Sequence, residues 1–201
     1  MQAQEKLTKE QLEQIKKFQE LPKEKQQEIL EQQCIFCQIS QGKVDTIKVF
    51  EDFDMLAVLD INPASKGHIL IFPKKHYQLF FQLPDSIRNK LFEIAQKISI
   101  YLVNILKCEG INLYVANGAA AGQRVPHFVL HVIPRFENDG INFDWQSQKT
   151  DKKELEKIAK LLRENLAKEK KQKQEKAVPK EQIEKEQQKL EKELKKFRRV
   201  P

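Results

Sequence analysis

The stretch His127-Phe-Val-Leu-His-Val-Ile-Pro-Arg135 decides the predicted fold, because it joins the alternation of a β-strand to two imidazole side chains. Successive side chains of a strand point to opposite faces of its sheet. The alternation therefore predicts two faces: His127, Val129, His131 and Ile133 on one, and Phe128, Leu130 and Val132 on the other. We expect the histidine face to border a cleft.

Outside this strand, hydrophobic periodicity predicts one long helix and four further strands. Pro84 and Asp85 open the helix, which runs to about Lys107 with apolar residues at helical spacing. The other strands are predicted at Lys48–Glu51, Met55–Asp60, His68–Pro73 and Ile111–Ala116. Because the connections are short, this order favours an α+β fold with a mostly antiparallel sheet.

The chain divides into three predicted regions. Residues 1–33 form an N-terminal helical extension, with helices at 7–20 and 23–33 separated by Pro22. Residues 34–140 form one domain, which is long enough to bury a core. Residues 141–201 form a surface strap followed by a charged tail, whose two helical runs are separated by Val178-Pro179.

The basic excess of the chain is confined to this tail. The 201 residues include 36 Lys or Arg and 29 Asp or Glu, for a formal net charge of +7. Residues 151–201 hold 18 and 11 of these, so the preceding 150 residues are electrically balanced. Lys, Glu and Gln alternate in the tail with sparse Leu and Ile, which is typical of a solvated helix or a coiled coil. The excess also raises the hypothesis that the tail binds RNA or another acidic partner.

The hydropathy of the chain predicts a cytoplasmic protein without a membrane partner. Its mean hydropathy is −0.63, and it has no run of about 18 apolar residues that would form a transmembrane helix. The N-terminal residues lack the apolar centre of a signal peptide.

Cys34-Ile-Phe-Cys37 places two thiols on one turn, in a chain with only four histidines. The histidines are His68, His76, His127 and His131. Zinc favours a tetrahedron of thiolate and imidazole ligands, so the two cysteines with two of these histidines predict a closed structural site. A thioredoxin-like redox pair is an alternative, but no predicted strand precedes the motif and no long helix follows it. Two small buried cysteines are the other alternative.

Five blocks of sequence stand in a recognisable order and spacing. They are Cys34–Cys37, Leu59–His68 (LDINPASKGH), Phe72–His76 (FPKKH), Asn117–Gln123 (NGAAAGQ) and His127–Arg135 (HFVLHVIPR). Together these blocks resemble the histidine triad (HIT) family over residues 34–140. The resemblance implies an α+β fold with a five-stranded antiparallel sheet, and a homodimer that joins two such sheets.

The resemblance also implies a function and the residues that serve it. HIT proteins bind purine nucleotides and mostly cleave the bond to the α-phosphate of nucleoside phosphoramidates, dinucleoside polyphosphates or nucleotidyl sugars. The ligands of zinc-containing members match Cys34, Cys37, His76 and His127. The nucleotide-binding positions match Phe36, Val44, Val58 and Ile61 around the base, Asp60 at the ribose, and Asn117, Gly122, Gln123 and His131 around the α-phosphate. His68 matches a histidine that supports the triad by hydrogen bonding.

The sequence departs from the family at the centre of the triad. The His-x-His-x-His of the family reads His127-Phe-Val129-Leu-His131 here, so valine replaces the nucleophile. Valine has no lone pair and cannot form a nucleotidyl-enzyme adduct. We therefore predict a purine-nucleotide-binding HIT protein in which nucleotidyl transfer and hydrolysis are absent or impaired. The alternative is an active hydrolase in which His131 activates a water molecule.

Overall fold

The computed structural model describes residues 8–176, which divide into two compact units between Asn142 and Phe143. The first unit holds the sheet and four helices, and the second holds one helix. The helical run predicted beyond Val178-Pro179 lies outside the described residues, as does the basic end of the tail. The RNA or acidic partner of residues 151–201 therefore stays a prediction.

Five strands form one sheet in which every neighbouring pair is antiparallel. The strands are β1 (Lys48–Glu51), β2 (Met55–Leu59), β3 (Ile69–Pro73), β4 (Gly110–Tyr114) and β5 (Leu130–Arg135). Their spatial order is β1-β2-β3-β5-β4, so the last strand lies between β3 and β4. The predicted α+β fold with a five-stranded antiparallel sheet is confirmed.

The strand predicted from His127 to Pro134 begins three residues later, at Leu130. The backbone N–H of Phe128 donates to the carbonyl of Tyr77 over 2.6 Å, outside the ladder between β3 and β5. This hydrogen bond joins the segment that precedes β5 to the loop that contains Tyr77. Buried backbone N–H groups need a hydrogen-bond acceptor even where they lie outside a sheet. The side chains before the strand nevertheless keep their alternation, as the site shows below.

Apolar side chains cover both faces of the sheet. Helix α4 (Asp85–Leu106) packs on one face, where its buried residues are Leu91, Ile94, Ala95, Ile98 and Leu102. The other face carries a smaller cluster, which consists of Ile39, Leu56, Val58, Leu70, Phe72 and Val129. Helix α3 (Ile35–Ser40) supplies Ile39 to this cluster and packs Phe36 against it. We call this smaller cluster the floor cluster, because the candidate site is built on it.

Two helices precede α3 in the first unit. Helices α1 (Lys9–Glu20) and α2 (Lys23–Gln33) are separated at Pro22, as predicted. The side-chain amide of Gln26 donates to the carbonyl of Leu21 over 2.7 Å and so ties α2 to the end of α1. Helix α2 has no buried residue, so it adds little apolar packing to the first unit.

The second unit is described as one charged helix, α5 (Lys152–Lys176). Its larger apolar side chains are exposed, and they are Leu155, Ile158, Leu161, Leu162 and Leu166. The coiled coil predicted for this region stays a prediction. Across residues 8–176, no helix combines the length and the apolar character that a bilayer span requires.

Candidate functional site

Four buried side chains converge where helix α3 begins. Cys34 Sγ lies 3.3 Å from His127 Nδ1, and Cys37 Sγ lies 3.3 Å from His76 Nδ1 and 3.6 Å from His127 Nδ1. The four ligand atoms all lie within 4.8 Å of one another. Zinc bonds of about 2.3 Å to sulfur and about 2.0 Å to nitrogen give sulfur–nitrogen separations near 3.6 Å in a tetrahedron. The four side chains, which we call the metal cluster, could therefore hold a metal ion.

The hydrogen bonds around the metal cluster prepare its donor atoms. His127 Nε2 lies 2.9 Å from the carbonyl oxygen of Pro73. A carbonyl can only accept, so Nε2 carries the proton and the Nδ1 lone pair faces the thiols. Hydrogen bonds with the side chains of Cys37 and His127 lower the pKa of the Cys34 thiol, which favours the thiolate that a metal ion binds. Thiolate and imidazole donors are the set that zinc prefers.

A cavity of about 410 Å³ lies beside the metal cluster. Its lining residues are Phe36, Asp60, Asn62, Tyr114, Ala116, Gly122, Gln123, Arg124, Val125, His127, Val129 and His131. The volume falls in the range of small-molecule sites, which combine apolar walls with a few convergent polar groups. The alternation predicted from the sequence thus brings His127, Val129 and His131 to one cavity wall.

The structure divides the predicted nucleotide-binding residues into two groups. Five of them line the cavity, and they are Phe36, Asp60, Gly122, Gln123 and His131. The other four do not line it. Val58 is buried in the floor cluster with Val44 packed against it, and Ile61 is 85% exposed. The Oδ1 atom of Asn117 accepts the backbone N–H of Phe80 over 2.8 Å, so this side chain joins the segment after β4 to the segment at Phe80.

Four lining residues were missed by the sequence reasoning: Asn62, Tyr114, Ala116 and Val125. Tyr114 reaches the cavity because β4 pairs with β5 in the register that sets Tyr114 opposite His131. The pairing of two strands is a non-local property that periodicity along one strand does not reveal. The one available signal is that Tyr114 stands near the end of a predicted strand, shortly before the loop of small residues at Gly118–Gly122.

The loop of small residues forms one side of the cavity. Gly118 and Gly122 have φ angles of 84° and 86°, in the left-handed region that glycine adopts readily. The Gln123 side chain closes the loop, since its Oε1 accepts the N–H of Gly118 over 2.7 Å and its Nε2 donates to the carbonyl of Gln78 over 2.8 Å. Arg124 follows on the cavity wall and contributes a positive charge.

A carboxylate and two imidazoles form a second polar cluster at the cavity. His68 Nε2 lies 3.1 Å from His131 Nδ1, and His68 Nδ1 lies 3.3 Å from Asp60 Oδ2. Burial lowers the pKa of His68, and burial together with the neighbouring His68 lowers the pKa of His131 to about 4. Both imidazoles are therefore neutral at pH 7. Val129, which is 9% exposed, stands between His127 and His131.

The class of this protein is defined by three features together. They are an α+β fold with an antiparallel sheet, a cluster of two cysteines and two histidines, and a cavity beside it that is lined by histidines. Residues 41–138 match the HIT domain. An uncharacterized HIT-like protein of Borreliella burgdorferi is 45% identical over 112 residues, which cover 55% of this chain and 81% of that protein. An adenosine 5'-monophosphoramidase of Saccharomyces cerevisiae is 36% identical over 140 residues, which cover 69% of this chain and 84% of that enzyme. The chain therefore belongs to the HIT domain family.

Solved structures agree with this assignment. A HIT family protein from Bacillus anthracis superimposes with a TM-score of 0.63 and 38% identity, over 66% of this chain and 96% of that one. A zinc-bound histidine triad family protein from Mycobacterium smegmatis gives a TM-score of 0.53 and 32% identity, over 59% of this chain and 86% of that one.

Proposed function

We propose that this chain is a purine-nucleotide-binding HIT protein in which nucleotidyl transfer and hydrolysis are absent or strongly impaired. The observation that carries the proposal is Val129, which lines the cavity between His127 and His131 where the resemblance places the nucleophile. The similarity to the yeast adenosine 5'-monophosphoramidase supports an adenine nucleotide as the ligand.

The cavity offers a matching group for each part of such a nucleotide. The Asp60 carboxylate has two acceptor oxygens for the hydroxyls of a ribose. The Phe36 ring supplies an apolar wall for a base. The loop of small residues, Arg124 and His131 also line the cavity, and they offer hydrogen-bond donors and positive charge for a phosphate. Under this proposal the base, the ribose and the α-phosphate occupy one cavity.

The impaired chemistry follows from the side chain at position 129. An isopropyl group cannot attack phosphorus, so the covalent route of the family is closed there. Loss of a nucleophile from a concerted group costs several orders of magnitude in rate, whereas binding groups elsewhere in a site keep their contribution to affinity. Valine is common in partly buried β-structure, and Val129 packs in the floor cluster, so the replacement is compatible with the fold.

Calorimetry tests the binding half of the proposal. Titration of AMP and GMP into the full chain is expected to give saturable binding with one site per chain. Asp60→Asn is expected to weaken binding about tenfold, because a charge-assisted hydrogen bond to a ribose hydroxyl is lost. Asp45→Asn serves as the matched control, since Asp45 is exposed and lies outside the cavity. Absence of heat or saturation at millimolar nucleotide would end the proposal.

Restoration of the imidazole tests the catalytic half. Wild-type protein is expected to hydrolyse adenosine 5'-monophosphoramidate at or near the background rate, and Val129→His is expected to raise that rate by at least about a hundredfold. Val129→Asn is the control, because it adds a polar side chain without a nucleophilic nitrogen. A wild-type rate far above background and equal to that of Val129→His would contradict the impairment.

We further propose that the metal cluster holds one structural zinc ion and that the chain forms a homodimer through the edge of the sheet. The donor set of Cys34, Cys37, His76 and His127 and the zinc-bound relative from M. smegmatis support zinc. β4 is an edge strand of the described sheet, and the exposed Leu113 on it supports the dimer. Light scattering is expected to give twice the chain mass, and Leu113→Glu is expected to give the monomer mass.

The second candidate is hydrolysis by a water molecule that His131 activates. It is favoured by one observation, the neutral imidazole of His131 on the cavity wall, because a general base must be unprotonated. Direct attack by water inverts the configuration at the α-phosphorus, whereas two covalent steps retain it. If wild type and His131→Gln turn over the phosphoramidate equally slowly, this candidate is rejected.

A further inference from the structure

One short segment connects the metal cluster to the loop of small residues. Residues 77–82, which we call the clasp, follow His76 of the metal cluster directly in the chain. The carbonyl of Tyr77 accepts the N–H of Phe128 over 2.6 Å, and Phe128 is the residue after His127 of the same cluster. The clasp is therefore joined to the chain beside both histidines of the metal cluster.

The clasp also holds both ends of the loop of small residues. Before the loop, Asn117 Oδ1 accepts the backbone N–H of Phe80 over 2.8 Å. After the loop, Gln123 Nε2 donates to the carbonyl of Gln78 over 2.8 Å, while Gln123 Oε1 accepts the N–H of Gly118 over 2.7 Å. Both side-chain amides thus bond backbone groups of the clasp or of the loop. The position of the loop therefore depends on the position of the clasp.

A single side chain closes the clasp on itself. Gln82 Oε1 accepts the backbone N–H of Gln78 over 2.9 Å and that of Leu79 over 3.0 Å. Gln82 lies outside both the metal cluster and the cavity of the candidate site. Since it fixes the backbone at Gln78, it also orients the carbonyl that receives the Gln123 amide. Gln82 can therefore act on both sites without touching a ligand of either.

We propose that Gln82 is a positioning residue and that the clasp makes metal binding and nucleotide binding cooperative. A metal ion on His76 fixes the start of the clasp, and the clasp then holds the loop of small residues at the cavity. A segment that one ligand has already ordered costs the second ligand less, so each ligand binds more tightly in the presence of the other. By linkage, the factor is the same in both directions.

The cooperativity rests on the proposed function, because it needs both zinc and a nucleotide. The connection between the metal cluster and the loop does not need the nucleotide. Zinc alone is expected to steady the loop through the clasp, and this effect can be measured in the absence of any nucleotide.

Amide hydrogen exchange of the full chain without nucleotide tests this connection. The Gly118 N–H is expected to exchange about fivefold more slowly with zinc bound than without it, since its acceptor Gln123 is held by the clasp. The Glu109 N–H donates to the carbonyl of Arg135 outside the cavity and is the control amide. In zinc-loaded Gln82→Ala, Gly118 is expected to exchange faster than in the zinc-loaded wild type. Equal exchange of Gly118 in these two proteins overturns the proposal, and this comparison decides even if the metal-free protein does not fold.

Zinc affinity with and without AMP measures the cooperativity. In competition with a zinc chelator, saturating AMP is expected to raise the zinc affinity of the wild type about fivefold, and that of Gln82→Ala by less than about twofold. Gln78→Ala is the matched control, because Gln78 joins the clasp through its backbone N–H and carbonyl, and it is expected to keep the wild-type factor. A merely structural role of Gln82 would weaken zinc binding equally with and without AMP. An AMP factor in Gln82→Ala equal to that of the wild type therefore overturns the proposal.

The outcomes for the clasp and for the proposed function are distinguishable. If AMP binds but does not change the zinc affinity of the wild type, the proposed nucleotide stands and the cooperativity is rejected. If AMP does not bind, the proposed function fails, and the exchange of Gly118 alone decides whether the clasp connects the metal to the loop. A full chain that binds no zinc rejects the cooperativity and leaves the nucleotide to the calorimetric test.

Discussion

The Nε2 of His127 lies 2.9 Å from the carbonyl oxygen of Pro73, at the end of β3, and this contact directs the other ring nitrogen at Cys34. A ligand imidazole in a metal site commonly donates its second N–H to a carbonyl, which fixes both its tautomer and its orientation. The last residue of β3 therefore orients one ligand of the metal cluster. A bound metal ion would in turn link α3 to the segments that follow β3 and precede β5.

Metal analysis is expected to give one zinc ion per chain, and Cys37→Ser is expected to abolish it. Loss of the metal leaves four buried polar groups without their common partner, so we expect the free energy of unfolding to fall by more than about 3 kcal/mol. Cys108→Ala is the matched control, because Cys108 is buried but lies outside the metal cluster. Equal zinc content in Cys37→Ser and Cys108→Ala would contradict the assignment.

Gly67→Ala is expected to destabilise the domain by about 1–3 kcal/mol, measured by urea unfolding. Gly67 has a φ of +86°, and a Cβ built there would meet the Leu106 side chain at the end of α4. The variant therefore combines backbone strain with a steric clash. Gly42→Ala is the control, since its φ is +71° but a Cβ there would have no neighbour within 4 Å. A larger loss in Gly42→Ala than in Gly67→Ala would refute this account.

Local patterns in the sequence predicted the strands and α4 well, because each depends on side chains a few residues apart. Helix α2 and strand β1 have the predicted bounds, and α4 differs from its prediction by one residue at each end. The start of β5 was predicted too early, since the alternation continues past the point where the backbone of Phe128 bonds to Tyr77. The alternation of apolar and polar residues reports the direction of the side chains, whereas a β-strand also requires backbone hydrogen bonds to a neighbouring strand.

The site was predictable in part for the same reason. Spacing alone left open which two histidines would join Cys34 and Cys37, and only the resemblance selected His76 and His127. The structure brings those two to the thiols and pairs the remaining two with each other. This division depends on β3 lying beside β5, which joins segments about 60 residues apart in the chain. No local periodicity contains that information.

Asp139→Asn is expected to lower the melting temperature at pH 7. Asp139 accepts hydrogen bonds from Arg135 Nε and Nη2 over 2.6 and 2.9 Å, and from the backbone N–H of Ile141 over 2.9 Å. The Arg135 guanidinium holds the pKa of this carboxyl well below its usual range. Its contribution to stability is therefore present above the ordinary carboxyl pKa of 3.8 and is lost as the pH falls through the lowered value.

The difference in melting temperature between wild type and Asp139→Asn should accordingly be largest near neutral pH and shrink in strong acid. Asp144→Asn is a suitable control, because it removes one exposed carboxylate from the second unit. A difference that stays constant from pH 7 to the acid limit would show that the ion pair with Arg135 does not account for the effect.

Acid should destabilise the wild-type protein more than His131→Gln between pH 6.5 and pH 4. Burial and the adjacent His68 lower the pKa of His131 to about 4 from its ordinary 6.5, so in this window the unfolded chain binds a proton that the folded chain does not. Stability therefore falls as the pH falls, by at most about 1.4 kcal/mol per pH unit for one proton. Urea unfolding at pH 7 and pH 5 measures this, and we expect the wild type to lose about 1–2 kcal/mol more than the variant. Protonation of the metal cluster affects both proteins alike and cancels in the comparison. Equal losses in the two proteins would show that His131 is not held neutral by its surroundings.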